Sequence, residues 1–130
     1  MKIYLSEFWV SEPADRHENY KNAVTLVSEL KGQGFGIFYE RQWRPYPQIE
    51  KEIEACDGLL ALVDRYWTSS TWMAIELTHS AVAGLNSFIY YVPSDFYSAF
   101  PRGSKLPNTY VLPEDVGSAV NYVKALMHRG

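Results

Sequence analysis

Short apolar runs and stretches of helical periodicity alternate along this chain. The runs at 2–6, 35–39, 58–64, 87–92 and 109–112 are short and largely apolar, which is typical of strands. After each of the first three runs, and again after the last, apolar residues recur at steps of three and four, which indicates amphipathic helices. The segment 93–108 is rich in Pro, Ser and Gly and predicts a long loop. Ser11-Glu12-Pro13, Pro47 and Pro113 favour helix starts, and Gly32 and Gly84 favour helix ends. The pattern predicts five strands and four helices.

This order of elements predicts the fold class. Strands that alternate with helices form a parallel sheet with right-handed crossovers. The run 58–64 is almost unbroken in apolar residues, as expected of a central strand covered on both faces. With 130 residues, the chain fits one domain. We therefore expect a single α/β domain over 1–130, flavodoxin-like and three-layered, with strand order 2-1-3-4-5 and helices on both faces.

Composition and charge exclude several classes of protein. The 12 Lys and Arg residues are scattered and the net charge is −3, which argues against a nucleic-acid partner. Cys56 is the only cysteine, so internal disulfides are excluded and burial as a small hydrophobic residue is expected. No apolar run approaches a membrane span, and strand residues follow Lys2 directly, without a signal peptide. These features predict a cytoplasmic protein without membrane contact.

Aromatic residues follow each of the first four predicted strands, and Trp72 opens the helix after the third. Because the carboxyl ends of parallel strands meet at one edge of the sheet, these rings should gather where α/β sheets bind ligands. They could simply close the end of a small core, or they could stack on a base or a nicotinamide ring. The aromatic residues predicted to line the site are Phe8, Tyr39, Trp43, Tyr66 and Trp72.

Glu76 stands four residues after Trp72, so a helix would place the carboxylate and the indole on one face. One interpretation is a solvated glutamate on a helix surface. The apolar neighbours Ala74, Ile75 and Leu77 favour a covered helix instead, near its positive N-terminal end. In that setting, Glu76 could act as a nucleophile or stabilise a cation.

The sequence lacks the patterns of a metal centre and of a bound dinucleotide. His79 lies one turn after Glu76, where it could contact it or sit at the helix rim, while His17 and His128 are distant in sequence. The glycines of 32–36 precede a strand, whereas a dinucleotide fingerprint follows one. We expect neither a metal nor a bound cofactor.

The pattern Ser-x-Trp-x-x-x-Glu-Leu, formed by Ser70, Trp72, Glu76 and Leu77, resembles that of TIR (Toll/interleukin-1 receptor-like) domains. In enzymatic TIR domains the matching glutamate cleaves the nicotinamide–ribose bond of NAD, so the resemblance implies this role for Glu76. It also implies a homo-oligomer or an effector protein as partner. The resemblance covers most of the chain, with fold-level agreement at 5–6, 31–32, 36–39, 53–57 and 66–67.

A second resemblance is to nucleoside 2-deoxyribosyltransferases, in 56–64 and from Glu76-Leu77 to Ala83-Gly84. In those enzymes the matching glutamate forms a deoxyribosyl intermediate. Two positions depart from that family's pattern. Its Asp-x-Gly-Thr segment is replaced by 69–72, and its early Gly-Pro is replaced by Ser6-Glu7.

The two families act on substrates with different leaving groups, and this difference favours one of the two resemblances. NAD releases neutral nicotinamide from a cationic ring, so one carboxylate suffices, whereas a neutral base needs a proton from a second acid such as Asp64 or His79. We therefore predict an NAD glycohydrolase or ADP-ribosyl cyclase with NAD as substrate and Glu76 as catalytic carboxylate. A nucleoside 2-deoxyribosyltransferase or hydrolase, and a non-catalytic TIR-type interaction module, are the alternatives. The predicted substrate-binding residues are Trp72, Ser6, Phe8, Tyr39, Trp43, Asp64 and Tyr66.

Overall fold

The computed structural model describes residues 1–7, 18–39, 42–63, 71–91 and 106–128. Strands and helices alternate through the described segments up to residue 91, as the hydrophobic pattern predicts, and a strand and a helix follow in 106–128. The order is β1 (Lys2–Glu7), α1 (Glu18–Gly32), β2 (Gly36–Phe38), α2 (Tyr46–Glu54), β3 (Gly58–Val63), α3 (Thr71–Val82), β4 (Asn86–Tyr91), β5 (Thr109–Val111) and α4 (Val116–Met127).

The five strands form one parallel sheet in the order β2-β1-β3-β4-β5. This confirms the predicted α/β class and the strand order 2-1-3-4-5. The central strand β3 is buried along its whole length, as its unbroken apolar run predicts. In its register with β1, Ala61 pairs with Ser6 and Leu60 with Leu5. The carboxyl ends of these two strands therefore lie side by side.

Alternation along β1 divides the core into two clusters. Ile3 and Leu5 point to the face covered by α1 and α4, where they pack with apolar residues of both helices. Tyr4 points to the opposite face, covered by α2 and α3, and packs there with Ile53 and Met73. We call these the α1/α4 face and the α2/α3 face.

Local sequence signals explain several element ends. Gly84 adopts φ +79° just after α3, a conformation that favours glycine at a helix C-terminus. Helix α4 begins at Val116, later than Pro113 predicts, because Asp115 caps it by accepting a hydrogen bond from the Ser118 amide at 2.9 Å. The predicted start of α1 at 11–13 lies outside the described residues.

Close packing fixes one glycine at the start of β3. A Cβ on Gly58 would lie 2.9 Å from the Met127 sulfur and 3.2 Å from the Asn86 carbonyl oxygen. Its absence lets α4 approach the sheet. Cys56, just before this strand, is buried as predicted. None of the described helices combines the length and apolar character needed to cross a bilayer.

Candidate active site

Glu76 lies in the second turn of α3 and its side chain is half-buried against the sheet. The helix is held there by Met73 and Leu77, which are buried in the cluster of the α2/α3 face. These neighbours, three residues before and one after, fix which side of the helix faces β1. The carboxylate therefore meets the carboxyl half of β1.

Two hydroxyl groups of β1 contact this carboxylate. Ser6 donates from Oγ to Glu76 Oε1 across 3.3 Å. Tyr4, two residues earlier on the same face of the strand, also forms a side-chain hydrogen bond with Glu76. Its ring is buried and stacks on Phe38, with centroids 5.5 Å apart. The structure thus brings together two of the predicted site residues, Ser6 and Glu76, and adds Tyr4.

A largely buried ion pair extends the site beyond Tyr4. Arg44 Nη2 donates to the Tyr4 hydroxyl oxygen at 3.1 Å. Its Nε atom lies 2.7 and 3.0 Å from the two carboxylate oxygens of Glu52, and Nη2 lies 2.7 Å from one of them. Gln48 donates to the same carboxylate at 3.1 Å. Arg44 just precedes α2 and Glu52 lies in its last turn, so the ion pair joins the segment before this helix to the end of the helix.

The surroundings of Glu76 act on its charge in opposite directions. Burial raises the pKa of its carboxyl group, while the hydrogen bonds from Tyr4 and Ser6 and the charge of Arg44 act to lower it. The Glu52 charge acts in the same direction as burial, and the net pKa is raised. Burial and the bond to Glu76 strongly raise the pKa of Tyr4, so this phenol stays protonated and can donate.

The remaining predicted lining residues differ in how the structure presents them. Tyr39 follows β2 and is 40% exposed, and Trp43 precedes Arg44 and is 79% exposed. Trp72 lies in the first turn of α3, one turn before Glu76, and its side chain is outside the described part of the chain. Phe8, Asp64 and Tyr66 also lie outside the described residues. Their roles stay predictions.

His79 faces α2 rather than Glu76. Its Nε2 atom lies 3.0 Å from Glu54 Oε1, and its Nδ1 atom lies 3.8 Å from Glu50 Oε2. The ring of Tyr46 packs edge-on against it, 6.3 Å between centroids. Donor atoms of His79, Glu50 and Glu54 converge within 4.8 Å, so these residues could hold a cation. In the structure, the two carboxylates already serve as partners of the imidazole.

Sequence reasoning missed Tyr4, Arg44 and Glu52. Alternation along 2–6 does place Tyr4 on the same strand face as Ser6, and that signal could have found it. The other two residues are joined to Tyr4 only by the path of the segment before α2, which periodicity does not encode.

Comparison with known proteins bears on the fold. No protein-family model and no curated protein matches the chain. Among solved structures, the chain is similar to the CMP N-glycosidase BcmB of Clostridium botulinum, at 14% identity and a TM-score of 0.61, covering 97% of this chain and 99% of that one. A de novo designed Rossmann 2x3 protein matches at 11% identity and a TM-score of 0.49, with 99% and 90% covered. Neither name is that of a TIR domain, and that resemblance stays a prediction.

Proposed function

We propose that this protein cleaves the N-glycosidic bond of a nucleoside or nucleotide, with Glu76 as the carboxylate that meets the anomeric carbon. The observation that carries the proposal is the setting of Glu76. Its half-buried carboxylate is held by Ser6 and Tyr4 at the carboxyl end of a parallel sheet. This edge is where open α/β sheets bind ligands.

The reaction follows from what such a carboxylate can do. Cleavage of the bond between base and sugar builds positive charge on the anomeric carbon, which an adjacent carboxylate stabilises or traps as an ester. Water then attacks the same carbon, releases the sugar and restores the carboxylate. The donors Tyr4 and Ser6 orient Glu76 and favour its ionised form, against the effect of burial on its pKa.

The similarity to a CMP N-glycosidase supports a nucleoside or nucleotide as substrate. That protein is named for cleaving CMP, and the two folds superpose over nearly the whole of both chains. At 14% identity, the superposition carries the fold, and the proposal for this chain depends on Glu76 and its donors. A neutral base also needs a proton as it leaves. We assign that proton to Asp64, which directly follows β3 in sequence.

NAD is the second candidate substrate. Its nicotinamide leaves from a cationic ring and needs no protonation, so the Glu76 carboxylate and its two hydroxyl donors would suffice. The Trp72 to Glu76 spacing, which resembles that of TIR domains, also supports it. Under this alternative the protein is an NAD glycohydrolase or ADP-ribosyl cyclase.

A substrate screen separates these proposals. Pure protein is incubated side by side with nucleoside monophosphates including CMP, with deoxynucleosides and with NAD, and the released base or nicotinamide is quantified by chromatography. We expect base release from a nucleotide or nucleoside that is abolished in Glu76→Gln. The matched control is Glu29→Gln, an exposed glutamate of α1 on the opposite side of the sheet, which should retain full activity.

Three other outcomes decide against the main proposal. Nicotinamide release alone would establish the NAD reaction. Base exchange between deoxynucleosides would establish a transferase. No turnover of any substrate, together with oligomers or partner complexes that persist in Glu76→Gln, would establish a non-catalytic interaction module.

A further inference from the structure

A chain of four side chains connects α2 to the proposed catalytic carboxylate. Glu52 accepts hydrogen bonds from Arg44, Arg44 donates to the Tyr4 oxygen at 3.1 Å, and Tyr4 is hydrogen-bonded to Glu76. The arginine is held firmly, because the Glu52 carboxylate accepts hydrogen bonds from its Nε and Nη2 atoms. The Gln42 carbonyl oxygen accepts a further hydrogen bond from Nη1 at 2.9 Å.

The donors and acceptors that each of these four side chains carries fix the direction of the hydrogen bonds between them. A guanidinium has five N–H donors and no acceptor, so the Tyr4 oxygen must accept from Arg44. A phenol carries one proton, and an ionised carboxylate only accepts. With its oxygen engaged by Arg44, the hydroxyl proton of Tyr4 is directed to Glu76. Without Arg44 the hydroxyl could rotate about its C–O bond toward another acceptor.

We propose that Arg44, aimed by Glu52, is a positioning residue that fixes the Tyr4 hydroxyl as a donor to the Glu76 carboxylate. Its effect on the proposed reaction rests on the proposed function, whereas its effect on the ionisation of Glu76 does not. Arg44 acts on Glu76 through Tyr4 and is not itself catalytic.

Several charged or polar groups face Glu76 from the elements packed around it. Tyr4 and Ser6 donate from β1, and Arg44 contributes a positive charge from the segment before α2. These three lower the pKa of Glu76, against burial and the negative charge of Glu52 on α2. Loss of Arg44 removes its positive charge and also the contact that orients the Tyr4 hydroxyl toward Glu76. The pKa of Glu76 should therefore rise further.

The test measures the ionisation of Glu76 in the protein without any substrate. The full chain is labelled with ¹³C-glutamate, the side-chain carboxyl signals are followed by NMR across pH, and Glu76→Gln identifies the signal of Glu76. We expect Arg44→Gln and Tyr4→Phe each to move its midpoint upward. The control Lys51→Gln removes a positive charge from the exposed side of α2 and should leave the midpoint unchanged.

The double variant separates positioning from a general charge effect. If Arg44 acts through Tyr4, the upward shift caused by Arg44→Gln becomes smaller in the Tyr4→Phe background. Additive shifts would overturn the positioning role, as would an unchanged midpoint in Tyr4→Phe, a variant that keeps the ring stacked on Phe38. Should Arg44→Gln fail to fold, Arg44→Lys keeps the charge without the planar fork, and a wild-type midpoint in it would also overturn the role.

Activity then distinguishes a failure of this inference from a failure of the proposed function. If base release is observed, its acidic limb should move to higher pH in Arg44→Gln, in parallel with the NMR midpoint. Shifted midpoints in a protein that cleaves no substrate would sink the proposed function and leave the positioning role intact. Base release together with unshifted midpoints would support the proposed function and overturn the positioning role of Arg44.

Discussion

The two faces of the sheet differ in where they place polar side chains. On the α1/α4 face, β1 contributes Ile3 and Leu5 to a large apolar cluster. On the α2/α3 face, the same strand contributes Tyr4 and Ser6, which contact the half-buried Glu76. The alternation of one short strand therefore separates the groups that stabilise the fold from the groups proposed to act on a substrate.

This difference has an energetic consequence. Apolar burial on the α1/α4 face stabilises the folded state directly. On the other face, burial raises the pKa of Glu76, so keeping its carboxylate ionised at neutral pH costs free energy. Substitutions in the apolar cluster of the α1/α4 face and substitutions of the polar groups around Glu76 should consequently fail in different assays, the first in stability and the second in turnover.

The largest expected effect is on the α2/α3 face. Glu76→Gln keeps the size of the side chain and removes the nucleophile, so kcat for base release should fall roughly 10⁴-fold, or about 5 kcal/mol of transition-state stabilisation. Steady-state kinetics measure the loss, and circular dichroism verifies the fold. A variant that unfolds would contradict this difference between the two faces, because Glu76 would then be needed for the stability of the fold as well.

The converse substitution lies on the opposite face. Leu26 of α1 is fully buried in the apolar cluster, so Leu26→Ala should lower the free energy of unfolding by about 3 kcal/mol. Urea denaturation measures this loss. Because Leu26 belongs to the cluster on the other side of the sheet from Glu76, kcat per folded molecule should stay at the wild-type value. A proportionate loss of kcat would show that the two faces are coupled.

The sequence predicted the architecture well because each rule it uses is local. Strand runs, helical periodicity and glycine or proline ends all act within a few residues, and together they determined the strand order. The closeness of Ser6 and Glu76 follows from the same rules, because Ser6 ends the first strand run, Glu76 lies in the helix after the third, and the carboxyl ends of parallel strands share one edge.

The rest of the site depends on contacts that are distant in sequence. Tyr4 was counted as an apolar strand residue, although its hydroxyl is what contacts Glu76. Arg44 reaches Tyr4 across 40 positions through a segment without periodicity, so its partner could not be inferred. His79 was expected at the helix rim or near Glu76, yet its partners lie on α2, because helix packing rather than spacing decides which side chains meet.

A smaller effect should come from a single hydroxyl of the site. Ser6→Ala removes one donor to the Glu76 carboxylate, and we expect about a tenfold loss in kcat, or ~1.4 kcal/mol. The matched control is Ser80→Ala, which breaks a buried 2.8 Å bond to Ser87 at the far end of α3. That control should lower stability by about 1 kcal/mol and leave kcat unchanged. Equal kinetic losses in both variants would contradict a specific role for Ser6.

The smallest effect concerns the pH dependence of stability. The pKa of Glu76 is raised in the folded protein, so between its ordinary value and the folded value the native state binds more protons than the unfolded state. The contribution of Glu76 to the free energy of unfolding therefore falls as pH rises through that interval. Other groups act oppositely, such as Asp115, whose pKa is lowered by its capping bonds to Ser118, but they are the same in wild type and Glu76→Gln.

Subtracting the stability of the wild type from that of Glu76→Gln isolates this contribution. This difference in the free energy of unfolding should be smallest in acid and should grow in favour of the variant up to neutral pH, because a glutamine side chain does not ionise. Urea denaturation of both proteins across this range measures it. A difference that stayed constant would mean that Tyr4, Ser6 and Arg44 together balance burial, and one that favoured the wild type increasingly toward neutral pH would mean that they outweigh it. The α2/α3 face would then stabilise its carboxylate at no cost to the fold.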